Sequence, residues 1–172
     1  SLSPMLPTRI AAPLENTAPW TGYAKANTVI DTTEVGGGVS LRMTGTSPAG
    51  ATYAYFGPDQ TAGGGVNLSN MYTASPGELW YVEFWAYAPP TNTQPFTVSA
   101  RAAIRNSTTQ TAPQFPQPAT VTVQPGQRVK VSQTFVMPAT AGYDRVSFAA
   151  VQNLGVVGPV LHITEPLVNR LL

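Results

Sequence analysis

The chain has 172 residues, no cysteine and a formal net charge of +1, with only 10% of its residues charged. That length suits one domain that buries its own core; the missing cysteines exclude disulfides, thiolate metal sites and cysteine nucleophiles; the near-neutral balance excludes an electrostatic footprint for nucleic acid or an anionic bilayer. No apolar run approaches the roughly 20 residues of a spanning helix, so no membrane insertion is expected. No basic-then-apolar leader opens the chain, and Ser1 reads as the start of a processed or recombinant segment.

Seventeen prolines and fifteen glycines among abundant Thr, Ala and Val point to an all-β class with many turns. In chain order, residues 1–8 read as a lead-in. A strand over 28–32 is broken by Gly36-Gly37-Gly38, and 39–44 alternates with Val39, Leu41 and Met43 inward. Residues 52–56 form the next strand, closed by Gly57-Pro58, and a loop leads to a short strand around Met71 and Tyr72. Residues 96–105 place Phe96, Val98, Ala100, Ala102 and Ile104 on one face, and Thr97, Ser99, Arg101 and Arg105 on the other. A polar, proline-punctuated loop over 106–118 precedes strands at 119–123 and 129–137, split by Pro125-Gly126. Residues 143–151 turn Val146, Phe148 and Ala150 to the core with Arg145, Ser147 and Ala149 opposite, and 158–168 carries the last strand. No stretch of ten residues has helical periodicity, so helix is expected to be minor. Eight to ten strands in one domain over 1–172 make a two-sheet antiparallel β-sandwich.

The most informative stretch runs from Pro76-Gly77 to Pro89-Pro90. Trp80, Val82, Phe84, Ala86 and Ala88 form one apolar face of this strand, and Tyr81, Glu83, Trp85 and Tyr87 form the other. A strand with one face in water reads apolar and polar in turn. Here the second face is three flat rings around one carboxylate, which suits a surface that binds something.

Taken in order, Met5-Leu6-Pro7, Glu15 followed by Trp20, Gly38-Val39-Ser40-Leu41-Arg42-Met43-Thr44, Ser75-Pro76-Gly77 with the aromatic strand, Val129 to Val136 followed by Pro138-Ala139, Tyr143 with Arg145-Val146, and the final strand from Leu161 make a recognisable series. The chain resembles the carbohydrate-binding modules of families four and nine, in particular the divergent copies in minor tail proteins of phages that infect actinobacteria. The resemblance covers nearly the whole chain and implies a jelly roll whose concave sheet binds glycan. On that mapping Trp85, Tyr87, Tyr81 and Glu83 look into the groove, beside Arg101 and Arg105 from the next strand and Arg145 from a later one. Such a site needs aromatic faces for the C–H face of a sugar and planar donors for its rim of hydroxyls.

The resemblance also implies a structural calcium ion between the opening loop and the last strand. Glu15 matches the opening acidic position, while Thr164 and Glu165 stand where that family has paired aspartates. Catalysis finds little support. His162 is the one histidine and reads as a packed residue, no Gly-x-Ser-x-Gly elbow or phosphate loop occurs, and a glycosidase needs two carboxylates where only Glu83, with Asp59 in a loop, is in prospect. The expected role is a non-catalytic domain of a phage tail adhesin or minor tail protein, in the virion tail outside the cell. Its partners would be bacterial envelope glycans and other virion proteins, in a multimeric particle. The alternatives are a structural jelly roll that binds only protein neighbours, and a glycan-binding module of a secreted polysaccharide-degrading enzyme.

Overall fold

The structure is a computed structural model that describes residues 8–9, 28–31, 40–44, 52–56, 68, 71–110, 116, 119–139, 142–153 and 160–170. The strands are β1 (Thr8–Arg9), β2 (Thr28–Asp31), β3 (Ser40–Thr44), β4 (Thr52–Phe56), β5 (Tyr72–Thr73), β6 (Leu79–Tyr87), β7 (Phe96–Arg105), β8 (Ala119–Val123), β9 (Arg128–Val136), β10 (Arg145–Asn153) and β11 (Val160–Arg170). Every pairing is antiparallel. Two sheets result, a jelly-roll sandwich as expected. Sheet A runs β2-β3-β11-β6-β9, with β1 on the far end of β11; sheet B runs β4-β10-β7-β8, with β5 beside β4 along β10. Among the described residues no helix is long and apolar enough to cross a membrane.

Strand positions follow the alternation closely. The last two strands lie two residues later than 143–151 and 158–168, and Thr8, assigned to a lead-in, opens β1 and pairs with Arg170. Leu41 and Met43 point inward as expected, while Val39 lies outside the described residues. After β5 the chain changes sheet at every connection except β7 to β8, so neighbours in sequence are seldom neighbours in a sheet.

The core is made by the even-numbered side of β6. Trp80, Val82, Phe84, Ala86 and Ala88 are fully buried, facing Phe96, Val98, Ala100, Ala102 and Ile104 of β7 and Val146, Phe148 and Ala150 of β10. Phe148 of sheet B meets Trp80 at 5.8 Å and Phe135 at 5.9 Å between ring centroids, both from sheet A, and Tyr72 packs on Phe148 at 5.9 Å. Offset and tilted rings at these separations add about 0.5–1.5 kcal/mol each beyond burial. Both ends of β6 are tied to the turns of β9. Gly77 N–H donates to the Met137 carbonyl at 2.9 Å, and Gly126 N–H to the Ala88 carbonyl at 2.7 Å. Both turn residues have φ of 83°, which glycine adopts without a Cβ penalty. The Asn92 side chain caps the start of β11, donating to the Val160 carbonyl at 2.8 Å and accepting from its N–H at 3.0 Å.

Two outcomes are expected of this core. Phe84→Ala should lose about 3–5 kcal/mol in urea unfolding, as a buried aromatic does; a negligible loss would mean the two faces of β6 are reversed. Burial pushes the Tyr72 hydroxyl up to about 12 from its ordinary value of 10.0. The folded state therefore holds this proton more tightly, so the stability it confers is full below about pH 10 and lost as pH rises toward 12. The urea midpoint should fall between pH 9 and 11.5, and fall less in Tyr72→Phe.

Candidate functional site

The outer face of sheet A is organised by the odd-numbered side of β6. Tyr81, Glu83, Trp85 and Tyr87 are half-buried, each between fully buried neighbours. At about 3.3 Å of rise per residue the stripe is about 20 Å long. β9 sets Thr134, Ser132, Lys130 and Arg128 beside these four in register, and β11 sets Asn169, Leu167, Thr164 and His162 on their other side.

The β11 register shifts between Thr164 and Leu167. Pro166 has no N–H to give to a ladder, and a bulge is where a strand accommodates such a residue. Glu165 takes φ of 53° there, a left-handed conformation unusual for a side-chain-bearing residue. Its carboxylate accepts from Arg128 Nη2 at 3.1 Å. The two partners stand on the strands that flank β6, so the ion pair crosses over it, and the Arg128 guanidinium lies 4.1 Å from the centre of the Trp85 ring. A cation over an indole face is attracted by the ring quadrupole, so the protein covers its own aromatic platform.

Glu83 is answered from within. Its carboxylate accepts from the Tyr81 hydroxyl and lies 3.9 Å from Lys130 Nζ. Burial, then the hydrogen bond to Glu83, raise the Tyr81 hydroxyl above its ordinary value, so it remains a donor. His162 is buried, with Nδ1 3.0 Å from Ser40 Oγ and its ring 6.1 Å from that of Tyr87. It is a packed histidine, as its apolar strand implied. Thr164, beside Trp85, is buried too, and among the described residues its Oγ1 has no hydrogen-bond partner. An orphaned buried hydroxyl costs about 1–3 kcal/mol.

The arginines do not join this face. Arg101 and Arg105 lie on β7 and Arg145 on β10, both in sheet B, where Arg145 and Arg105 are register partners. The strand after β6 in sequence is not its neighbour in space, so all three occupy the opposite outer surface of the sandwich. That surface is largely closed: Ser99, Ala103, Arg105, Ser147, Ala149 and Val151 are at most 3% exposed. Arg105 donates to the Gln110 carbonyl at 3.4 Å, and Arg145 pairs with Asp144 at 3.2 Å. Burial pushes the Asp144 carboxyl up, but hydrogen bonds from the Ser107 hydroxyl and N–H, with the Arg145 charge, outweigh it and hold the group below its ordinary value. Arg145 and Asp144 thus stabilise the 106–110 loop.

Glu15 and Asp59 lie outside the described residues. Calcium takes six to eight oxygen ligands. Glu165 is engaged by Arg128, and among the described residues no group of three or more His, Asp or Glu side chains gathers. The bulge that places this carboxylate was not anticipated, although Pro166 inside an apolar strand was its signal.

No protein-family model matches the chain, and no curated protein matches it. Solved structures similar to it in fold include the CBM22-2 xylan-binding domain of Paenibacillus barcinonensis Xyn10C, at TM-score 0.61 and 12% identity over 90% of this chain and 93% of that one. The CBM22-1–GH10 modules of Clostridium thermocellum Xyn10B, complexed with xylohexaose, match at TM-score 0.58 and 11% identity over 84% of this chain and 25% of theirs. The enzymatically active domain of bacteriophage CBA120 tailspike protein 4 matches at TM-score 0.52 and 12% identity over 92% of this chain and 20% of its own. The present chain thus spans a quarter or less of the two longer proteins, and the likeness is one of fold.

Removing the covering guanidinium tests this geometry. Arg128→Ala should lower stability by less than about 2 kcal/mol, because an exposed ion pair and a cation–π contact are each worth at most about 1 kcal/mol. Acrylamide should then quench tryptophan fluorescence more strongly, and adding Trp85→Phe should remove the gain. Unchanged quenching would mean that Arg128 does not cover the ring in solution.

Proposed function

We propose that this domain is a non-catalytic glycan-binding module and that Trp85, Tyr87, Tyr81 and Glu83 on the outer face of sheet A form its binding surface. The observation that carries the reading is the alternation of β6, which leaves three half-exposed rings and one carboxylate on a single face while the core is complete without them. Rings of this kind stack on the C–H face of a pyranose, and the Glu83 carboxylate with Ser132, Thr134 and Asn169 beside it supplies the rim of donors and acceptors. The fold shared with xylan-binding domains supports the same reading. Hydrolysis is disfavoured because the two carboxylates described on this face are engaged, Glu83 by Tyr81 and Lys130 and Glu165 by Arg128, whereas glycosidases set two carboxyl groups on either side of the scissile bond.

The setting we propose is a phage tail adhesin or minor tail protein, in the virion tail, that holds the particle to envelope glycans of its bacterial host beside other virion proteins. The resemblance to actinobacterial phage tail modules and the fold likeness to a tailspike domain support it. Several copies per particle would convert weak single sites into firm attachment. A module of a secreted polysaccharide-degrading enzyme is the second reading, favoured by the fold likeness to xylanase modules.

Fluorescently labelled domain should stain intact host cells and bind purified envelope glycans, saturably and in competition with free sugar. Trp85→Ala should abolish this with little change in melting temperature, whereas Arg101→Ala on sheet B should leave it intact. The reverse pattern would move the site to sheet B, and no binding to cells or glycans would favour a structural domain that contacts only proteins.

A further inference from the structure

We infer that the saccharide recognised on the outer face of sheet A is negatively charged, with Arg42 and Arg128 as the residues that read its charge; this rests on the glycan-binding reading above. The first observation is a row that crosses four strands in register: Arg42 on β3, His162 on β11, Tyr87 on β6 and Arg128 on β9. At about 4.8 Å between strands, the row sets one guanidinium-bearing residue at each end, about 14 Å apart, with two rings between. Arg42 is exposed, and among the described residues it has no hydrogen bond or ion pair. Lys130 adds a third cation one row away.

The second observation is how the carboxylates of the face are used. Glu83 is tied to Tyr81 and Lys130. Glu165 holds Arg128 by a pair whose side chains are 39% and 64% exposed, a contact worth at most about 1 kcal/mol. A sugar ring that stacks on Trp85 must move the Arg128 guanidinium off the indole. An anionic ligand group then offers the displaced guanidinium a planar, bidentate acceptor in a partly dried site, a better partner than the exposed Glu165. A neutral sugar offers it none. The Thr164 hydroxyl beside Trp85, buried and without a partner among the described residues, is a further group that a ligand oxygen arriving there would satisfy. The charge class is therefore shared by two sources, a sugar carboxylate or a phosphate ester.

Calorimetry of the intact chain with three polymers tests this: polygalacturonate, the same polymer after carboxyl reduction, and a glycerol-phosphate wall polymer. At least one acidic polymer should bind about tenfold more tightly than the reduced one, the scale of one charge-assisted hydrogen bond, and whichever binds identifies carboxylate or phosphate as the source. The preference should shrink as salt rises from about 0.05 to 0.5 M, where exposed charges are screened. Arg42→Gln should reduce the preference several-fold without changing affinity for the reduced polymer. Equal binding of all three polymers would overturn the charge inference and leave the glycan reading standing; no binding to any would overturn both. If Arg128→Gln strengthens binding of every polymer alike, Arg128 is only a plug over Trp85 and its assigned role fails.

Discussion

Phe148 rises from sheet B into rings supplied by sheet A, Trp80 and Phe135, with Tyr72 alongside, and this contact sets which side of β6 faces inward. Side chains alternate with a period of two, so a slip of one residue in β6 would turn Tyr81, Trp85 and Tyr87 toward the core and Trp80 and Phe84 out to water. The hydrogen bonds that tie Gly77 to Met137 and Gly126 to Ala88 hold the register from both ends. The exposed rings are thus placed by the buried ones. The outer face has no freedom of its own while the inter-sheet aromatic contact persists.

The carboxylates and the central indole of the outer face are also answered from within the protein. Glu83 has Tyr81 and Lys130, and Trp85 has Arg128, which Glu165 steadies from the far side of β6. Such a surface resists non-specific adhesion of its aromatics, which an uncovered trio of rings invites. The cover depends on one bulge residue in a left-handed conformation, and non-glycine residues in that region carry strain of about 1–3 kcal/mol. Retaining a glutamate there, where glycine is the easier residue, fits a carboxylate that has work to do across the strand.

Strand positions and facing were legible from alternation because each strand packs one side on a single core. Phe96 to Ile104 and Val146 to Ala150 needed no tertiary information to be oriented. What alternation cannot supply is the sheet to which a strand belongs. Arg101, Arg105 and Arg145 were correctly turned away from the core, yet they emerge on the other outer surface because β6 and β7 sit in different sheets. Strand order depends on contacts between residues far apart in sequence, which local patterns do not encode. The Glu165 bulge was hidden for a related reason: Pro166 signalled an irregularity, but only the pairing of Thr164 with Trp85 and of Leu167 with Glu83 shows where the extra residue is absorbed.

β11 is the last of the described strands in sequence, yet it lies in the middle of sheet A, between β3 and β6, with β1 also on its flank. During synthesis the halves of that sheet must wait for each other, β2 and β3 on one side and β6 and β9 on the other, until residues 160–170 leave the ribosome. Closure over such long loops is intrinsically slow. Nascent chains of this domain therefore carry two open strand edges for most of their emergence, which makes the finishing segment a keystone for assembly and the interval before its arrival the period of greatest exposure to aggregation.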